Sequence, residues 1–311
     1  MTRVLAVLVL IASIAPAPVR RQPPSAPAAG SQVRIDFVAA DRKGTPVLDL
    51  KPQEVEVWIG HFRVPIETFS IITPGNDERG GRFLVLLLDD MTVPLRDMSR
   101  AKEIARGFVA KMMPGDRMAI VTLEGASMES TDDPVRLRRA IDAYSVRATV
   151  PQRIDVLGEH VIKTVAELSR QLTEAPGRRK TIIAIGSGWL FDRPIPAPTV
   201  GRDLLPEWVD AMRAMAFAHA NLYVIDPAGL GASRVDNGAT GFAHASGGQA
   251  FLNTNDFNRA TDRILRDAAN YYLVSVSDPP VGRGADLREL EVRVLRRGVT
   301  ALARQAIPGP M

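Results

Sequence analysis

Residues 83–88 form an unbroken apolar run, Phe83-Leu84-Val85-Leu86-Leu87-Leu88, which stops abruptly at Asp89-Asp90. A strand that is apolar on both faces belongs in the middle of a parallel sheet with helices covering both sides. The residues that follow keep to that plan. Residues 99–112 place Ile104, Ala105, Phe108, Val109 and Met112 at helical spacing, and residues 118–123 give a second buried strand. Asp133-Pro134 supplies an N-cap with proline in the first turn, which predicts a helix to about Tyr144. Residues 155–172 repeat the helical period through Leu157, Ile162, Val165 and Leu168. A strand at 180–185, a helix at 206–220 and a strand at 222–225 come next. A short helix near Phe242 leads through Gly247-Gly248 to a strand at 249–252 and a helix over 256–269. Strand–helix alternation of this kind predicts an α/β domain over residues 82–269, with a doubly wound, mostly parallel sheet.

Different patterning flanks this centre. Val33, Ile35, Phe37 and Ala39 alternate with polar residues, residues 41–44 make a turn, and Val55, Val57, Ile59, Val64, Ile66 and Phe69 follow. Period-two alternation marks half-buried antiparallel strands, so residues 30–75 are expected to form an N-terminal β module. A Gly- and charge-rich linker covers 76–81. After Asn270 the helices stop, and residues 271–276, 289–295 and 299–306 are β-type segments within 270–307. The two ends are expected to pack together as a small β-sandwich, with the α/β domain inserted between them.

The first 29 residues read as a signal peptide and flexible leader. Arg3 precedes about a dozen apolar residues, a signal-peptide length and well short of the ~20 that cross a bilayer. Residues 22–30 are rich in Pro, Ala and Ser. No later stretch is long and apolar enough to span. The expectation is an exported, periplasmic or secreted protein with no membrane span after signal removal. With 0 cysteines, neither a disulfide scaffold nor an acylated-cysteine anchor is available. The net charge of +4 is spread in short clusters, Arg20-Arg21, Arg178-Arg179-Lys180 and Arg296-Arg297, which read as solvated surface. There is no basic run interleaved with aromatics, so nucleic acid is not an expected partner.

The order of small motifs resembles the von Willebrand factor A (vWA) family, in particular the vWA-related proteins of the acidobacterial type. The resemblance is carried by Asp41-Arg-Lys-Gly44 before residues 46–50, by the 83–89 strand, and by residues 114–117 and 131–133. Residues 179–181, 246–251, 253–256 and 271–273 complete it. It covers residues 33–306 and implies a vWA-like, Rossmann-type sheet. It also implies a Mg²⁺ site at the sheet's switch point, built from Asp-x-Ser-x-Ser, a Thr on a second loop and an Asp after the fourth strand. A hard cation there takes oxygen ligands. This sequence departs from that pattern. Asp89 fits the first position, but Met91 and Val93 stand at the serine positions; the alternative frame, Asp90-x-Thr92, puts Pro94 third. Ser187 of Gly186-Ser187-Gly188 replaces the carboxylate, and Thr149 is the loop-two candidate, with Asp192 further along. Asp89, Thr149 and Ser187 are therefore the remnants of a degenerate metal site. No resident cofactor is expected, Mg²⁺ being disfavoured.

An enzyme finds little support. His61, His160, His219 and His244 form no pair with metal-motif spacing. Gly186-Ser187-Gly188 lacks the outer glycines of a Gly-x-Ser-x-Gly elbow, because Ile185 and Trp189 occupy those positions. Gly229-Leu230-Gly231 and Gly247-Gly248 read as turns, and Asp116, Asp132 and Asp133 as turn and cap residues. The expectation is a non-enzymatic binding or adhesion module. It would hold a protein partner through the loop end of the sheet, at Asp90, Thr92, Trp189 and Phe191. The alternative is a periplasmic hydrolase using the crevice around Ser187.

Overall fold

The computed structural model describes residues 32–74, 76, 81–125, 127–146, 154–175, 179–187, 204–231, 237–279 and 287–309. In chain order, β1 (Gln32–Asp41), β2 (Val55–Ile59), β3 (Phe62–Val64) and β4 (Ile66–Ile72) come first. Next are β5 (Phe83–Leu88), α1 (Leu95–Ala110), β6 (Arg117–Thr122), β7 (Ser127–Thr131), α2 (Pro134–Ala143) and α3 (Ile154–Leu172). The central part continues with β8 (Lys180–Ile185), α4 (Leu205–Ala218), β9 (Ala220–Ile225), α5 (Asn237–Ala245), β10 (Ala250–Phe251) and α6 (Phe257–Ala269). Last are β11 (Tyr271–Ser277), β12 (Leu287–Val294), β13 (Val299–Ala303) and β14 (Ala306–Pro308).

The central strands make one six-stranded sheet in the order β10-β9-β8-β5-β6-β7. Counted along the chain this is the 3-2-1-4-5-6 order of doubly wound sheets. Every pairing is parallel except β6 with β7. Alternation along β5 explains its apolar run. Leu84, Leu86 and Leu88 pack with α1, α2 and α6 on one face, while Phe83, Val85 and Leu87 pack with α3, α4 and α5 on the other. The mixed α/β architecture with its mostly parallel sheet is compatible with a vWA-like fold. Strand β7 has no counterpart in the sequence reading. As an edge strand it pairs on one side only, and Ser127, Glu129, Ser130 and Thr131 give it no apolar run. The cap expected at Asp133 holds, its carboxylate accepting from the Val135 and Arg136 amides; at the start of α6 the Asp256 carboxylate accepts from the Arg259 amide.

The flanking strands form two four-stranded sheets, β13-β1-β11-β4 and β14-β12-β2-β3. Strand β1 lies between β11 and β13, so Phe37 sits opposite both Tyr272 and Ala303, and β2 pairs with β12. Side chains of both sheets share one apolar cluster that includes Ile35, Phe37, Val57, Ile59, Tyr272 and Leu290. Phe37 and Tyr272 stack with ring centroids 5.1 Å apart. The Tyr272 hydroxyl donates to the Val47 carbonyl at 3.1 Å and accepts from the Leu50 amide at 3.0 Å, tying the β1–β2 loop to a strand from the far end of the chain.

These sheets meet the amino end of the six-stranded sheet through buried charge, which corrects the reading of residues 178–180 as solvated surface. Arg179 and Lys180 are 6% and 4% exposed; Arg178 lies outside the described residues. Asp36 of β1 is 2% exposed and pairs with Arg179 Nη1 at 3.3 Å and Arg304 Nη2 at 3.2 Å. Burial alone would raise the Asp36 carboxyl, but the two guanidinium groups outweigh it and hold it below the usual carboxylate range. His219, expected within a helix, ends α4 in the left-handed conformation and faces Asp36 at 4.0 Å. Burial is the main cause of its lowered pKa. Asp116, read as a turn residue, is buried and ion-paired with Arg82. Arg304 also breaks the strand expected over 299–306, because it turns inward between β13 and β14. Gly247 has φ +83°, and a Cβ on it would lie 2.6 Å from the Arg304 amide. The close approach of α5 to this seam needs glycine.

Candidate functional site

Strands β5 and β8 are the first and fourth of the six-stranded sheet, and their crossovers leave on opposite faces. Loops therefore part at their carboxyl ends, the position where open α/β sheets bind ligands. Asp89 closes β5 there and is 3% exposed. Its Oδ1 accepts from the Met91 amide at 3.0 Å and the Thr92 amide at 2.8 Å. Its Oδ2 accepts from the Thr92 hydroxyl and from the Ser187 amide at 3.3 Å. A carboxylate has about four acceptor sites, and four donors of the chain itself occupy them. Gly186 lets Ser187 come so close. A Cβ on Gly186 would sit 2.4 Å from the Asp89 Cβ.

Ser187 extends the chain of contacts to the next strand. Its Oγ donates to Asp226 Oδ1 at 2.8 Å, and the Ala228 amide donates to the same oxygen at 2.9 Å. Asp89, Ser187 and Asp226 thus form a polar row across the ends of β5, β8 and β9. Asp226 is absent from the sequence reading. Its signal is the one that marked Asp89: a buried strand, 220–225, ending on a carboxylate. Asp90 lies beneath the rim at 5% exposure, with Oδ1 accepting from the Glu124 amide at 3.2 Å. Thr92 is half-buried beside it. The Tyr144 hydroxyl donates to the Asp89 carbonyl at 2.6 Å, and burial, reinforced by Asp89 and Asp90, pushes its pKa well above the ordinary tyrosine value. The structure thus brings Asp89, Asp90, Thr92 and Ser187 together. Thr149, Trp189, Phe191 and Asp192 lie outside the described residues.

The Mg²⁺ implied by the resemblance does not fit these residues. The Asp89 oxygens are engaged by amides and a hydroxyl, and Met91 and Val93 are buried apolar side chains at 7% and 1% exposure. Among the described residues no three His, Asp or Glu side chains are grouped to hold a metal ion. The histidines stand elsewhere. His160 shares Nε2 with the Leu123 carbonyl at 2.7 Å, His219 faces Asp36 at the opposite end of the sheet, His61 lies in the turn between β2 and β3, and His244 lies in the last turn of α5. The partner of the Ser187 hydroxyl is a carboxylate, Asp226.

No family model matches the chain, and no curated protein does. Among solved structures it is similar to an aerotolerance-related membrane protein from Bacteroides fragilis, at 15% identity, 60% of this chain and 98% of that one, with a TM-score of 0.42. It is also similar to the human COPII-coat protein Sec24c, at 10% identity and a TM-score of 0.35, over 77% of this chain and 46% of that one, about half its length. Likenesses this distant carry no structural argument. The fold rests on the strand order itself.

Proposed function

We propose that this chain is an exported, non-enzymatic binding module of the vWA type, which holds a protein partner with the loop end of its six-stranded sheet. On this reading the two four-stranded sheets form a small sandwich that supports the sheet from its other end. The observation that carries the proposal is the saturation of Asp89 by the Met91, Thr92 and Ser187 groups. A carboxylate engaged in this way shapes the loops and has no oxygen to spare for a cation. The bond from Ser187 to Asp226 belongs to the same polar row, and the four histidines stand elsewhere. Binding then rests on loop surface, with Asp90, Thr92, Trp189 and Phe191 as the contact candidates.

Titration of the purified chain with Mg²⁺ or Mn²⁺ is expected to show no site tighter than about millimolar. Sub-millimolar binding lost in Asp89→Ala would overturn the metal-free reading. A crosslinked envelope protein captured by wild type and lost in Thr92→Arg, with folding kept, is the expected binding result. Turnover of an ester panel that disappears in Ser187→Ala would replace the binding module with a hydrolase.

A further inference from the structure

A groove of about 310 Å³ runs between α1 and the start of α6, apart from the Asp89–Ser187–Asp226 row. One wall is a single helical stripe of α1, Arg100, Glu103, Ile104 and Gly107; the other holds Asn255, Asp256, Phe257 and Asn258. Thr261, 2% exposed, completes the lining.

Two features shape the groove. Gly107 sits inside the 16-residue α1 although glycine is the weakest ordinary helix former there. A Cβ on it would meet nothing within 4 Å and its φ is not positive, so neither a close approach nor the backbone calls for glycine. Its effect is to deepen the groove. The second feature is the mixed charge. Arg100 Nη1 donates to the Pro227 carbonyl at 2.8 Å and the Ala228 carbonyl at 3.2 Å, and its guanidinium carbon lies 6.0 Å from the Phe257 ring centroid. Nη1 also lies 3.8 Å from Asp97 Oδ1, so the head group is positioned and its other nitrogens are left to a ligand in the groove. Glu103 is exposed on the same stripe, and Asp256 caps α6 through Oδ1 alone. A simple anion entering the groove would meet the two carboxylates, and a simple cation would meet Arg100.

We propose that this groove binds a small zwitterion, a free amino acid or dipeptide, with its carboxylate on Arg100 and its ammonium on Glu103 and Asp256. An apolar side chain of the ligand would lie over Gly107, against Ile104 and Phe257, while the amides of Asn255 and Asn258 meet its polar backbone. The volume is at the low end for small-molecule sites, which suits a ligand of that size.

Calorimetry on the full chain with leucine and glycyl-leucine tests this, beside N-acetyl-glycyl-leucine and glycyl-leucinamide, which each lack one charge. At least one free zwitterion is expected to bind with a Kd of about millimolar or tighter, and each capped form at least about tenfold more weakly. Gly107→Leu fills the groove while improving the helix, so it should melt no lower than wild type and lose binding by about tenfold or more. Glu103→Gln, an exposed change, should reduce the preference for a free amine, Asp256 remaining. No heat with either free zwitterion overturns the proposal. So do capped forms that bind equally well, or a folded Gly107→Leu or Glu103→Gln that binds as wild type does.

Discussion

At the amino end of the six-stranded sheet, Asp36, Arg179 and Arg304 come together almost out of reach of water, drawn from β1, the start of β8 and the β13–β14 break. At the carboxyl end, Asp89, Ser187 and Asp226 form an uncharged-to-acidic row whose partners are mostly amides and hydroxyls of the adjoining loops. Both ends are polar and both bury a carboxylate, but they solve the burial differently. Asp36 is matched by opposite charges from distant parts of the chain, so it joins modules. Asp89 is matched by groups on its own and a neighbouring loop, so it shapes a surface. A buried carboxylate beside two strand ends therefore does not by itself mark a metal or catalytic centre; the kind of donor that satisfies it decides.

The comparison breaks first at Asp36. Asp36→Ala leaves two buried guanidinium groups without their anion and should cost about 3–5 kcal/mol in urea unfolding. A loss below 1 kcal/mol would mean that the seam contributes little to stability. Its pH dependence sharpens the point. The folded pKa of Asp36 is depressed, so its stabilisation is complete above the unfolded value and is lost as pH falls through the folded one. Asp267, raised by burial, has the opposite sign: its contribution is present below the unfolded value and lost as pH rises through the folded one. Comparison of wild type with Asp36→Asn cancels Asp267, and the gap between the two should shrink below about pH 4. A gap that stays constant to acid pH would contradict the depressed carboxyl.

At the carboxyl end the expected effects are smaller. Asp89→Ala strips the acceptor from four donors and should cost about 1–3 kcal/mol, the same with excess Mg²⁺ or with chelator. A cost that depends on the cation would turn this end into the metal centre its position suggests. Smallest is Ser187→Ala, expected at about 0.5–1.5 kcal/mol by thermal melts, because Asp226 keeps the Ala228 amide. A larger loss would make the row across β5, β8 and β9 a structural unit comparable to the seam.

Legibility followed the range of each interaction. Strand β5 and the cap Asp133 are legible in the sequence because their causes lie within a few residues, in an apolar run or an N-cap pattern. Asp226 carried the same local signal as Asp89 and was readable in principle. Strand β7 was not, since an edge strand needs no apolar run. Arg179 looks solvated in the sequence because a basic triplet does so unless its partner is known, and that partner, Asp36, belongs to β1 of the N-terminal module. Arg304 donates to Asp36 across 268 positions, and nothing near it in the chain announces the turn inward.

The sequence by itself determined the sheet with helices on both faces, through apolar runs and helical periods that act over one or two turns. It also set the residue types at the strand ends, Met91 and Val93 after β5 and Ser187 after β8. Only the tertiary structure decided that β1 is flanked by β11 and β13, which buried charge holds the modules together, and what satisfies Asp89. Those outcomes depend on which distant groups share a dry space, and the free energy of a buried charge is set by that company and not by its neighbours in sequence.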